Sequence, residues 1–256
     1  MVPKIIHYCW FGGKKLPDLE QKCVSKWKEI LPDYQITIWN EENFDLNSCD
    51  YVRQAYEHKK YAFVSDYARI KALYEYGGIY LDTDVEVVKS FNPYLGQVAF
   101  LGFENRTCVG TAVMACEKGM FFAKEMLDYY HKTPFVDING NQNLTTNVTL
   151  LNKILEDSGM ERVNKEQFVK GIHIYEREYF FPKKIDESQF AITENTISIH
   201  RMSATWLTKR QKQRGSNKLW INVCRPTLRF LQNCCIKCLG SDRTKMLEIK
   251  IRNSLK

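Results

Sequence analysis

Apolar and polar positions along the chain switch between two periods, and each switch marks an element. The run "KIIHYCW" is apolar with few breaks and ends in the Gly12-Gly13 pair, which predicts a buried strand over residues 4–8. Leu19, Cys23, Trp27 and Ile30 then recur at helical spacing until Pro32 stops the pattern, and "YQITIWN" returns to strand period. Strand, helix and strand in that order predict a parallel sheet and an α/β chain. A second helix is predicted over residues 61–76, closed by Gly77 and Gly78 in a left-handed cap. Short strands ("VAFLGFE", "TAVMAC") and helices ("FFAKEMLDYYHK", "NVTLLNKILEDSG") follow, before "GIHIYEREYFF" and "TISIHRMSATW". Open α/β sheets bind ligands outside the carboxyl ends of their strands. Trp10, Asp82, Asp84 and His200 all stand at such ends, so they are expected along one edge.

The carboxylates of "YLDTDVEV" raise the chemical question. In an extended chain Asp82 and Asp84 point the same way while Thr83 points oppositely. Two like charges brought together need compensation, and a divalent cation such as Mg²⁺ or Mn²⁺, bound by oxygen ligands and substrate phosphate, supplies it. An Asp-x-Asp triplet arises by chance about once in a chain this long, so the frame matters more than the triplet. Phe63, Asp66, Ile70 and Leu73 share one stripe of the preceding helix, with Arg69 beside it. Two readings of Asp66 and Arg69 stand side by side: a structural ion pair three residues apart, or a pair that holds sugar hydroxyls and anionic oxygens.

The block "YAFVSDYARIKALYEYGGIYLDTDVEV" resembles the Asp-x-Asp signature of the sugar-transferring enzymes of glycosyltransferase family 32. The opening "VPKIIHYCWFGG" and the late "IHRMSATW" are similar to further parts of that family's pattern. The resemblance implies a GT-A type α/β fold, a nucleotide-sugar donor such as a UDP-hexose, a divalent metal (Mn²⁺ or Mg²⁺) and retention of anomeric configuration. It implies that Trp10 stacks on the nucleobase, that Asp66 and Arg69 contact the donor sugar, and that Tyr80 lines the same pocket. Asp82 would bind hydroxyls and assist the metal, Asp84 would ligate it directly, and His200 would complete the metal or diphosphate contacts. Ser203 and Trp206 would close over the diphosphate. The chain departs from the family pattern at "NLTTNVTLL", which lacks the family's Gly-Pro, so Thr146 and Asn147 enter only as candidate donor contacts. A core role for His200 and an anchoring role for Trp206 stay open at this level, as do a haloacid-dehalogenase-like phosphatase and an inactive nucleotide-sugar-binding relative.

Charge changes the picture at the far end. The formal net charge of +7 is unevenly spread: residues 201–256 hold 14 Lys and Arg against 2 Asp and Glu, whereas the first 200 hold 23 against 28. A boundary near residue 210 therefore separates a glycosyltransferase domain, residues 1–210, from a basic amphipathic tail, residues 211–256, carrying Leu219, Trp220, Leu228 and Phe230 among its cations. Such a tail suits an anionic membrane surface, and with it a saccharide or lipid-linked saccharide acceptor. No base-reading module accompanies the charge, so no nucleic-acid partner is expected. Nine cysteines fit a reducing compartment, with apolar packing rather than zinc as the role of Cys234, Cys235 and Cys238. No charged leader with a long apolar core opens the chain. The expected location is cytoplasmic, including the cytoplasmic face of an inner membrane, with a role in capsular, lipopolysaccharide or other surface glycan synthesis.

Overall fold

The computed structural model describes residues 1–184, 189–203, 205 and 227. The proposed boundary at residue 210, the basic tail and Trp206 lie outside the described residues. In chain order the elements are β1 (Ile5–Cys9), α1 (Asp18–Ile30), β2 (Gln35–Trp39), α2 (Asp50–Glu57), α3 (Tyr61–Tyr76), β3 (Gly78–Leu81), β4 (Val85–Val87), β5 (Ala99–Gly102) and β6 (Val113–Cys116). They continue with α4 (Phe121–Lys132), α5 (Asn147–Asp157), β7 (Gln167–Val169), β8 (Ile172–Tyr175), α6 (Arg177–Phe180) and β9 (Ser198–His200). Seven strands form one sheet in the order β2-β1-β3-β6-β5-β8-β7. β1 pairs in parallel with β2 and β3, and β5 with β8, while β6 and β7 run against their neighbours. The expected α/β class and largely parallel sheet are both present.

Strand alternation sorts the core into two layers. Tyr80, Ala99, Leu101, Met114, Cys116, Ile172 and Ile174 pack with residues of α2, α3, α4 and α5. Ile6, Tyr8, Ile79, Leu81, Phe100, Val113 and Ala115 face the other way, against Val24 and Trp27 of α1, Val85 and Val87 of β4, and Phe180. Burying large aromatics such as Trp27, Phe100 and Phe180 removes on the order of 150–250 Å² of surface each. Both faces are thus covered, as a largely parallel sheet requires.

Two glycines explain how α3 hands over to β3. Gly77 has φ +67° and ψ −163°, a conformation essentially confined to glycine, and its N–H caps the helix on the Leu73 carbonyl at 2.9 Å. The expected left-handed cap is therefore corrected: φ is positive, but the chain leaves extended rather than curled. Gly78, at φ +100°, runs so close to β1 that a Cβ there would lie 2.6 Å from the Ile5 carbonyl oxygen. This close approach seats β3 beside β1 and fixes where the strand releases its two aspartates.

A short antiparallel ribbon of β4 and β9 forms a second sheet, with Val85 opposite His200, Glu86 opposite Ile199 and Val87 opposite Ser198. The buried Trp27 indole donates to the Val85 carbonyl at 2.8 Å, tying the ribbon to α1. α1 itself corrects one reading of the pattern. Leu19 is exposed, whereas Glu20, one residue on, is buried at 1%.

Candidate functional site

The site grows from the carboxyl ends of β1, β3 and β5 together with the ribbon. Asp82 and Asp84 do not lie in an extended strand, as the sequence pattern implied. β3 ends at Leu81, and the Val85 N–H donates to the Asp82 carbonyl at 2.9 Å, so residues 82–85 form a turn. The carboxylates converge nonetheless. One oxygen of Asp82, one of Asp84 and an imidazole nitrogen of His200 lie within 4.8 Å of one another.

Arg69 organises the Asp82 side. Its Nη1 lies 3.2 Å from Asp82 Oδ1, and its Nη2 lies 3.3 Å from Asp66 Oδ1. Nε donates to the Ser65 carbonyl at 3.3 Å, and Nη1 donates to the Thr111 carbonyl at 3.2 Å. The guanidinium also sits 4.5 Å from the Tyr80 ring centre, and the Tyr80 hydroxyl donates to Asp82 Oδ1 at 2.9 Å. The guanidinium thus donates to two main-chain carbonyls and forms ion pairs with two carboxylates. The two sequence readings of this pair combine: it is an ion pair, and it orients two carboxylates at a strand edge. Burial pushes the Asp66 carboxyl up, Arg69 opposes it and Asp82 reinforces it, leaving the group at about 6.

Asp84 is held from the other side. Its Oδ2 accepts the Ser203 N–H at 2.7 Å, its Oδ1 lies 3.4 Å from His200 Nε2, and its own carbonyl accepts the Arg201 N–H at 3.0 Å. Burial works against the Asp84 charge, but His200 and Ser203 outweigh it and hold the carboxyl below its usual range. For His200 burial favours the neutral ring, and the Asp84 contact more than reverses this, so its pKa is raised. The Ser203 hydroxyl donates to Glu20 Oε1 at 2.7 Å, which explains the buried acid of α1. Arg201 Nε donates to Glu86 Oε2 at 2.9 Å, and Lys26 Nζ lies 2.8 Å from Glu86 Oε1. Glu86, the position at which a phosphatase motif would carry Thr or Val, therefore belongs to a surface ion network.

The donor set fits a divalent metal. Two carboxylate oxygens and one imidazole nitrogen make a compact, oxygen-rich set suited to Mn²⁺, and to Mg²⁺ with less use of the nitrogen. His200 Nδ1 is buried and, among the described residues, has no hydrogen-bond partner.

Trp10 stands just past β1 on the same edge, half-buried, with its N–H on the Trp39 carbonyl at 2.9 Å and its indole N–H on the Lys14 carbonyl. Asn147 is buried, donates its amide to the Asp66 carbonyl at 2.8 Å and accepts the Tyr130 hydroxyl. Both ends of its side chain are committed to protein, so it supports the Asp66 turn of α3. Thr146 caps α5 by accepting the Thr149 N–H. The buried Cys9 thiol, pushed up to about 12 chiefly by burial, is no nucleophile. Glu20, Glu104 and the Thr111 carbonyl were not singled out by sequence. Glu104 closes the "VAFLGFE" strand and obeys the same strand-end rule as Trp10 and Asp82, whereas nothing in the pattern marks Glu20.

Residues 17–101 match the family model described as the glycosyltransferase sugar-binding region containing DXD motif. Over 133 residues the chain is 29% identical to inositol phosphoceramide mannosyltransferase 3 of Schizosaccharomyces pombe, a match covering 49% of this chain and 36% of that one. It is 28% identical over 151 residues to a mannosyl phosphorylinositol ceramide synthase of Saccharomyces cerevisiae, covering 55% of this chain and 39% of the other. A glycosyltransferase of Acanthamoeba polyphaga mimivirus is 27% identical over 188 residues, covering 71% and 74%. The match thus spans little more than a third of either fungal relative. Among solved structures, the PaToxG glycosyltransferase superposes with a TM-score of 0.50 at 20% identity over 61% of this chain and 69% of that one, which shows a shared fold.

Proposed function

We infer that this chain, a glycosyltransferase of the DXD type, moves a hexose from a nucleotide-sugar to a saccharide or lipid-linked saccharide in a metal-dependent reaction that retains anomeric configuration. The observation that carries the reading is the convergence of Asp82, Asp84 and His200 within 4.8 Å, next to an Arg69 that binds both Asp66 and Asp82. Asp82, Asp84 and His200 would hold the metal, which supplies positive charge against the departing diphosphate. Arg69 pairs with the Asp66 and Asp82 carboxylates and orients them, so that their free oxygens accept hydrogen bonds from donor hydroxyls. Its positive field favours negative charge developing nearby. Trp10 offers an indole face for the base, and the Ser203 N–H fixes Asp84 at the rim where the diphosphate would lie.

The fungal relatives are named as mannosyltransferases of inositol phosphoceramide. Those names support a hexose donor and a lipid-borne acceptor here, and the basic composition of residues 211–256 is consistent with work at an anionic membrane in surface glycan synthesis. Diphosphate release from UDP- and GDP-sugars, measured with Mn²⁺ or with chelator, tests the reading. Slow donor hydrolysis requiring both metal and Asp84 supports it and names the donor. Donor binding without release from any sugar would make the chain an inactive relative.

A further inference from the structure

One buried polar atom beside the candidate metal site has no place in the scheme above. His200 Nδ1 is shut off from solvent and, among the described residues, has no hydrogen-bond partner. The other ring nitrogen, Nε2, faces Asp84 Oδ1 at 3.4 Å and is the nitrogen turned toward the carboxylate pair. On the Nδ1 side stands Glu104, with Oε1 at 3.7 Å. Glu104 follows β5, and its own N–H donates to the Cys108 carbonyl at 2.8 Å. Gly110 gives it room: a Cβ there would lie 2.9 Å from Glu104 Cβ and 2.7 Å from Phe181 Cζ. Phe181 in turn packs edge-on against the His200 ring, with centres 6.0 Å apart. The imidazole therefore sits between two carboxylates with an aromatic ring limiting its swing.

An imidazole that gives its Nε2 lone pair to a metal carries its proton on Nδ1. In this pocket that N–H is buried, and among the described residues Glu104 is the carboxylate beside it. We propose that Glu104 is a positioning residue: it accepts the Nδ1–H of His200, fixes the tautomer and ring orientation that present Nε2 to a divalent metal, and strengthens that nitrogen as a ligand. Glu104 Oε1, at 3.7 Å, stands about 0.5 Å beyond the ordinary hydrogen-bond range, which is the distance the contact must close. Carboxylate–imidazole–metal triads of this kind change metal affinity by about 10–100-fold when the outer carboxylate is lost. This inference rests on the metal reading of the site.

The test is a Mn²⁺ titration of the full chain followed by electron paramagnetic resonance of the free ion, alone and with UDP or GDP. Wild type, Glu104→Leu, Glu104→Gln, His200→Ala and the double variant are compared, with thermal unfolding in chelator to confirm that each folds. Glu104→Leu is expected to weaken Mn²⁺ binding about 10–100-fold, and Glu104→Gln, which retains a carbonyl acceptor, to recover part of the loss. In the His200→Ala background Glu104→Leu should add nothing. Wild type that binds no Mn²⁺ under any condition overturns the metal reading and this inference with it. Wild type that binds, with Glu104→Leu unchanged or equally damaging without His200, overturns the inference alone.

Discussion

The two aspartates of the turn are held in opposite ways. Asp82 is secured by neighbours in sequence, Arg69 on α3 and Tyr80 on the β3 strand that leads into the turn, all within 14 positions. Asp84 is secured by His200 and Ser203, more than a hundred residues away. The near side is anchored by a buried cation with several partners. The far side depends on one three-residue ribbon and a backbone N–H. A site built this way separates what the fold requires from what the chemistry requires: loss of the near anchor damages the protein, and loss of the far one damages the site.

The strongest way to break the comparison is at Asp84. Asp84→Ala is expected to lower metal-dependent diphosphate release by at least about 10³-fold while the chain still folds, because the lost group serves charge stabilisation rather than the core. Unchanged release would remove Asp84 from the metal set. On the near side, Arg69→Met leaves two largely buried carboxylates without their cation and should cost about 3–5 kcal/mol in chemical denaturation. A loss below about 1 kcal/mol would mean the carboxylates are already neutralised by other means.

A smaller effect sharpens the electrostatics. Asp66, held at about 6, binds its proton more tightly in the folded chain than in the unfolded one. The stability this confers is fully present below the ordinary carboxylate range and is lost as pH rises through about 6. The stability of wild type relative to Asp66→Asn should therefore decline between about pH 4 and pH 6, measured as the difference in midpoint denaturant concentration. A difference that stays flat or rises would show that Arg69 outweighs burial. Smallest of all, Ser203→Ala deletes the hydroxyl contact to Glu20 but keeps the N–H on Asp84. It should leave metal affinity within a few-fold and cost about 1–3 kcal/mol, since the buried Glu20 loses its donor. A large fall in Mn²⁺ affinity would mean that the hydroxyl, not the main chain, sets Asp84.

These differences also explain what could be read from the residues in order. Helix α3 was legible to its ends, Tyr61 and Tyr76, because a long periodic stripe and a glycine pair bound it. The Asp66–Arg69 pair followed, since helix period puts the two residues on neighbouring positions of one face, whereas the bond from Arg69 to Asp82 did not. The turn at residues 82–85 was not legible, because it depends on a main-chain hydrogen bond and on the Asp82 N–H pairing with the Ala112 carbonyl. The β4–β9 ribbon has three residues a strand, too few for any period to show. Glu20 inverted the apparent face of α1 at its first turn, because its partner Ser203 comes from the far end of the domain. Local pattern carried the near half of the site, and the far half required tertiary pairing.

The register of that ribbon has a consequence for quality control. Val85 faces His200 through only three paired positions, and a slip of a single residue would turn the imidazole to the opposite side. The same slip would exchange the faces of the buried Ser198 and Ile199, beside the Val85 and Val87 that join the second hydrophobic layer. Site geometry and core packing are thus proofread together: a mis-registered molecule, with His200 turned from Asp84, would also unfold at a lower temperature than the native one.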